Sequence, residues 1–189
     1  PPATRASGAG AGGERPASDS WPHREYSRYV SAGGHGWHLQ GFGAGPTILR
    51  VHGTGAASHS FAGLAPLLAS RFHVVVPDLP GHGFTDLPPA SGMTLPGMAA
   101  GLAHLLAALQ AEPQLVVGHS AGAAILASMC LQGSIHPRAL VSINGAMLPL
   151  SGLSGRLFPP AARLLAALPG VPQLFARHAT QQYVVERLI

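Results

Sequence analysis

Four short apolar runs, TILRVHG (47–53), HVVVPDLPG (73–81), QLVVG (114–118) and RALVSI (138–143), recur along the chain. Their lengths and lack of polar alternation predict strands buried on both faces. Between them lie stretches whose large apolar residues repeat at three- and four-residue intervals. Phe61, Leu64 and Leu68 mark one face of FAGLAPLLASRF, and Leu95, Met98, Leu102, Leu105, Leu106 and Leu109 mark a longer helix with Thr94 as its N-cap. SAGAAILASMCL (120–131) is the third predicted helix. Upstream, REYSRYVSAGGHGWHLQGFG reads as two β-prone segments around a Gly33-Gly34 turn, an opening hairpin. Strands that alternate with helices need crossover connections, so the expected class is α/β: a mostly parallel sheet with helices on both faces.

The rhythm fails at both ends. Residues 1–20 hold no large apolar side chain and cannot offset the entropy of ordering, so residues 1–22 are expected to form a flexible tail. This stretch also lacks the basic start and apolar centre of a secretion signal. Residues 23–146 carry the core pattern. Beyond Asn144 come many prolines and short apolar helical pieces with Leu157, Phe158, Leu164, Leu165 and Leu168, which predict that residues 147–189 begin an apolar cap or lid. A membrane-surface or partner-binding patch, or plain packing on the core, accounts for the same pattern. The chain starts at Pro1 and stops within a helical pattern at VVERLI, which predicts a sequence cut at one or both ends, after the sixth strand and the start of the cap.

Composition changes this picture little. The 47% hydrophobic and 10% charged content of 189 residues excludes general disorder and fits one domain. All eleven basic residues are arginines; Arg5, Arg50, Arg71, Arg138 and Arg163 are scattered, so the net charge of +4 does not predict nucleic-acid binding. Cys130 is the only cysteine, and its place in an apolar helical pattern suggests a buried thiol in a reducing, cytoplasmic setting. No apolar run reaches the roughly 18 residues of a membrane span, leaving only membrane-surface contact through the lid open.

The chemistry concentrates in Gly118-His119-Ser120-Ala121-Gly122. In a chain with 25 glycines the pentapeptide alone carries little weight, but it falls where a predicted strand meets a predicted helix. There a tight turn needs small neighbours, and the serine hydroxyl is thrust out above the sheet as a nucleophile. The alternative is an ordinary glycine-rich turn. Gly53, closing the strand of VHGTG, introduces a loop that can present the Thr54 N–H to pair with that of Ala121 as an oxyanion hole. His82 and Asp86, in PDLPGHGFTD, are better read as shaping the pocket wall than as base and acid, and His119 should point away from the hydroxyl. No metal-ligand spacing, phosphate loop or dinucleotide fingerprint is present, so neither metal nor cofactor is expected.

As an ordered set, HGTG, DLPGHGFTD and GHSAG resemble the α/β-hydrolase fold over about residues 23–146. With WPHREYSRYVSAGGHGWHLQ, TLPGMAAGLAHLL and INGAMLPLSGLSGRLFPPAARLLA, the set is similar to the magnesium chelatase accessory proteins of bacteriochlorophyll biosynthesis. The resemblance implies a role near magnesium insertion into protoporphyrin, an apolar tetrapyrrole-like substrate, and contact with the chelatase. It also implies an acid and a histidine after later strands, which this sequence does not supply: beyond Glu112 the only acidic residue is Glu186, and the end of RALVSI offers Asn144 rather than an aspartate. The expected activity is therefore ester or acyl hydrolysis completed by residues outside 1–189. Two alternatives stand beside it, a non-catalytic porphyrin-binding or chelatase-contacting protein and a generic carboxylesterase.

Overall fold

A computed structural model describes residues 20–147. Six strands form one sheet: β1 (Ser27–Ala32), β2 (His35–Phe42), β3 (Thr47–Val51), β4 (His73–Pro77), β5 (Pro113–His119) and β6 (Ala139–Ile143). Their order is β1-β2-β4-β3-β5-β6. β1 and β2 pair antiparallel around Gly33 and Gly34, both at positive φ, as a two-residue hairpin turn requires. β2 pairs antiparallel with β4, and the remaining pairs are parallel.

Three helices follow the parallel strands: α1 (Ala65–Leu68), α2 (Leu95–Ala108) and α3 (Ala121–Leu131). The Thr94 side chain accepts a hydrogen bond from the Gly97 N–H, the capping read from sequence. α2 and α3 bury Leu102, Leu105, Leu106, Ile125, Leu126 and Met129 with Leu49, Val51, Val75 and Val116 of the sheet. On the other face Phe61 and Ala65 pack with Phe42, Val74 and Val76. Helices therefore cover both faces, as expected.

Three expectations shift. FAGLAPLLASRF is not one helix but a 3-10 turn, Ser58–Phe61, followed by the single turn of α1, and Leu64 is exposed. Pro66 lacks the N–H that a continuous helix would need, and it restricts Ala65 before it. Cys130 is half-buried rather than sealed in the core. In β6, Val141 and Ile143 remain 45% and 42% exposed, so this apolar strand is not covered on both faces among the described residues.

Two compact units divide the chain, Pro1–Gly145 and Ala146–Ile189. The expected tail (1–22) and cap (147–189), including Glu186, lie almost wholly outside the described residues. No described helix is long and apolar enough to cross a membrane.

Candidate active site at the carboxyl edge of the sheet

β3 sits between β4 and β5, so the chain leaves it first to one side and later to the other. Open α/β sheets bind ligands at such a reversal, beyond the carboxyl ends of the strands. Ser120 stands there, as the single residue between β5 and α3, with φ 51° and ψ −118°. A positive φ is costly for a residue with a side chain, and it persists only where the surroundings over-determine it. Here they do: the Ser120 N–H donates to the Ile143 carbonyl at 3.0 Å, and its own carbonyl accepts from the Ala123 N–H at 3.2 Å. The hydroxyl makes no cap to the helix it precedes. Ala121 opens α3, where backbone N–H groups lack intrahelical partners and the helix dipole favours negative charge.

Close approach fixes the rest of the corner. A Cβ on Gly53 would lie 2.8 Å from the Ser120 Cβ and 3.2 Å from the His119 Nδ1. The loop after β3 therefore rests directly on the serine and on the imidazole beside it. A Cβ on Gly118 would run into the Ala123 backbone, and one on Gly122 into the Val51 and His52 carbonyls. These two glycines let α3 descend onto β5 and β3. Thr54 is exposed, in a turn closed by the Ala56 N–H donating to the Gly53 carbonyl at 3.2 Å, with Gly55 at φ 75°. Ser120, Ala121, Gly53, Gly118 and Gly122 thus share one corner, with the Thr54 turn beginning from it.

His82 and Asp86 act on the loop that carries them. His82 Nδ1 lies 3.0 Å from the Pro80 carbonyl, and Asp86 accepts the Gly36 N–H at 2.9 Å, tying the loop to the hairpin. Two other residues do more than the sequence suggested. Asp78, fully buried, accepts from the Ser58 N–H at 2.6 Å and the Phe84 N–H at 3.0 Å, and meets His38 Nδ1 at 2.7 Å. Burial works to raise its pKa, but the His38 bond and charge and the two backbone donors outweigh this and hold it below the usual value. One carboxylate therefore gathers β2, the turn after β3 and the loop after β4. His52, also fully buried, lies between the loops after β3 and β4. Their available signals were position alone: a polar residue at the last step of an apolar run, just before a glycine or a Leu-Pro.

Asn144 follows Ile143 at φ 46°, so the end of β6 adjoins the serine through the Ile143 carbonyl. Among the described residues, no group of three or more His, Cys, Asp or Glu side chains could hold a metal ion.

A six-stranded, mostly parallel sheet whose β5 runs through a strained serine into α3 has the architecture of the α/β-hydrolase fold. The family described as "alpha/beta hydrolase fold" matches residues 46–182, and the chain belongs to it. The chain is similar to the Magnesium-chelatase 30 kDa subunit of Rhodobacter capsulatus, 37% identical over 172 residues, which are 90% of this chain and 60% of that protein. It is also similar to the 2-hydroxy-6-oxo-2,4-heptadienoate hydrolase of Pseudomonas putida, 31% identical over 79% of this chain and 54% of the relative. Among solved structures, an alpha/beta hydrolase fold protein from Burkholderia ambifaria matches with a TM-score of 0.66 and 28% identity, covering 82% of this chain and 56% of that one. The chain thus spans less than two thirds of the length of each of these proteins.

Proposed function

We propose that this chain is the nucleophile-bearing part of a serine hydrolase that acts on an ester or acyl group of an apolar, tetrapyrrole-like substrate. Its place would be as an accessory factor to magnesium chelatase in bacteriochlorophyll biosynthesis. Ser120 attacks the carbonyl, and the N–H groups of Ala121 and Thr54 receive the negative charge that develops on its oxygen. The single observation that carries this reading is the conformation of Ser120: φ 51° at the strand-to-helix corner, with Gly53 against its Cβ and no cap drawn from its hydroxyl. A serine hydroxyl near neutral pH needs a base to take its proton, and in this reading a histidine and its acid partner on loops after later strands take that role. The substrate class and the chelatase as partner rest on the similarity to the Rhodobacter subunit.

A fluorophosphonate probe on the full-length protein tests the chemistry. Labelling is expected on Ser120 and should vanish in Ser120→Ala; labelling that survives this substitution removes the assignment. A second reading is favoured by the relative's name as a chelatase subunit: the protein holds a porphyrin or contacts the chelatase without cleaving anything. In that case Ser120→Ala leaves pigment synthesis intact, whereas hydrolysis requires that it fail.

A further inference from the structure

The loop after β3 carries the proposed oxyanion donor, and a buried histidine grips it from the far side. His52 Nδ1 lies 2.8 Å from the Gly53 carbonyl oxygen, and His52 Nε2 lies 2.9 Å from the Leu79 backbone N–H. These contacts admit only one protonation state. A carbonyl only accepts, so Nδ1 carries the proton; a backbone N–H only donates, so Nε2 is bare. The ring is the neutral Nδ1–H tautomer, bridging the loop after β3 to the loop after β4.

We infer that His52 is a positioning residue for the oxyanion donor: by holding the Gly53 carbonyl, it sets the peptide plane that aims the Thr54 N–H. The reasoning is geometric. The Gly53 carbonyl and the Thr54 N–H belong to one planar trans peptide, so they point in opposite directions. The carbonyl is held twice, by His52 Nδ1–H and by the Ala56 N–H at 3.2 Å. The Thr54 N–H is thereby turned away from His52, in a loop whose Gly53 abuts Ser120. Without the imidazole only the Ala56 bond remains, and one bond leaves the plane free to rock about it. Such rocking matters because a donor must meet an oxyanion at about 2.7–3.1 Å.

The surroundings keep the ring neutral. Burial pushes the His52 pKa down to about 4; the Gly53 bond and the Asp78 charge oppose this, while His82, whose ring centroid is 5.2 Å away, and His59 add to it. Protonation would put an N–H on Nε2 facing the Leu79 N–H and break the bridge.

This inference rests on the reading of Thr54 as an oxyanion donor, and its test separates the two. In the full-length protein His52 is replaced by Asn, whose amide nitrogen can reproduce the Nδ1–H donor, by Gln, whose amide reaches the Nε2 position, and by Leu, which does neither. Fluorophosphonate labelling of Ser120 is resolved into a maximal rate and a half-saturating concentration, and the Thr54 amide resonance is followed in the 15N-labelled protein. His52→Leu and His52→Gln should slow the maximal rate by about 10- to 100-fold at an unchanged half-saturating concentration and shift the Thr54 resonance. His52→Asn should restore both. Asn and Gln variants that label alike, or a folded His52→Leu with the wild-type Thr54 resonance, overturn the inference. Wild-type protein that never labels, but whose Thr54 resonance follows this pattern, overturns the hydrolase reading and leaves the role of His52 standing.

Discussion

Two residues set the geometry of the corner: Ser120, whose N–H donates to the Ile143 carbonyl, and His52, which bridges the Gly53 carbonyl and the Leu79 N–H. The serine announces itself because glycines at both flanks and the strand-to-helix joint are visible in the string. His52 does not, because its two bonds go to backbone groups, one of them 27 residues away. The acid limb of stability belongs to this scale. The folded pKa of His52, about 4, lies below the ordinary 6.5, so between these values the unfolded chain binds the extra proton. Its contribution is whole above about pH 6.5 and declines as the pH falls towards 4. His59 and His73, also lowered chiefly by burial, act with the same sign. Asp78, held below 3.8, keeps its contribution down to that pH and loses it below. Urea midpoints between pH 7 and 4 should therefore fall steadily in the wild type and less steeply in His52→Asn.

Among the elements, the parallel strands were legible because burial on both faces demands uninterrupted apolar runs, and α2 because its cap and spacing agree. The run TILRV hid an anomaly. Arg50 is 1% exposed on a central strand, its guanidinium stacks 4.1 Å over the Phe61 ring, and its Nε and Nη1 have no hydrogen-bond partner among the described residues. Burial lowers its pKa to about 10. A desolvated charge without a carboxylate costs more than the ring contact returns. Arg50→Met, similar in length and apolar, should raise the melting temperature of the 189-residue chain by a few degrees in calorimetry. A fall would mean that the stacked cation contributes more than its desolvation removes. In FAGLAPLLASRF (61–72) the apolar spacing predicts one helix, but Pro66 removes a donor that its second turn requires.

For the whole molecule, apolar periodicity gives the class but not the strand order, which periodicity does not encode and which the structure supplies. The order matters because it makes β3 and β5 neighbours, paired from Thr47 with Pro113 to Val51 with Gly118. The proposed nucleophile and one donor follow β5, while the other donor follows β3. The site therefore exists only while that pairing holds. In the full-length protein, fluorophosphonate reactivity and the far-ultraviolet circular dichroism signal should disappear at the same temperature. Reactivity lost well below the melting transition would show that the loops come apart before the sheet does.

The backbone angles at position 120 set durability against chemistry. Glycine occupies that corner without penalty, whereas any side chain there costs on the order of 1–3 kcal/mol. A laboratory selection for heat tolerance alone would thus be drawn to Ser120→Gly and would return a sturdier protein with no reactive oxygen.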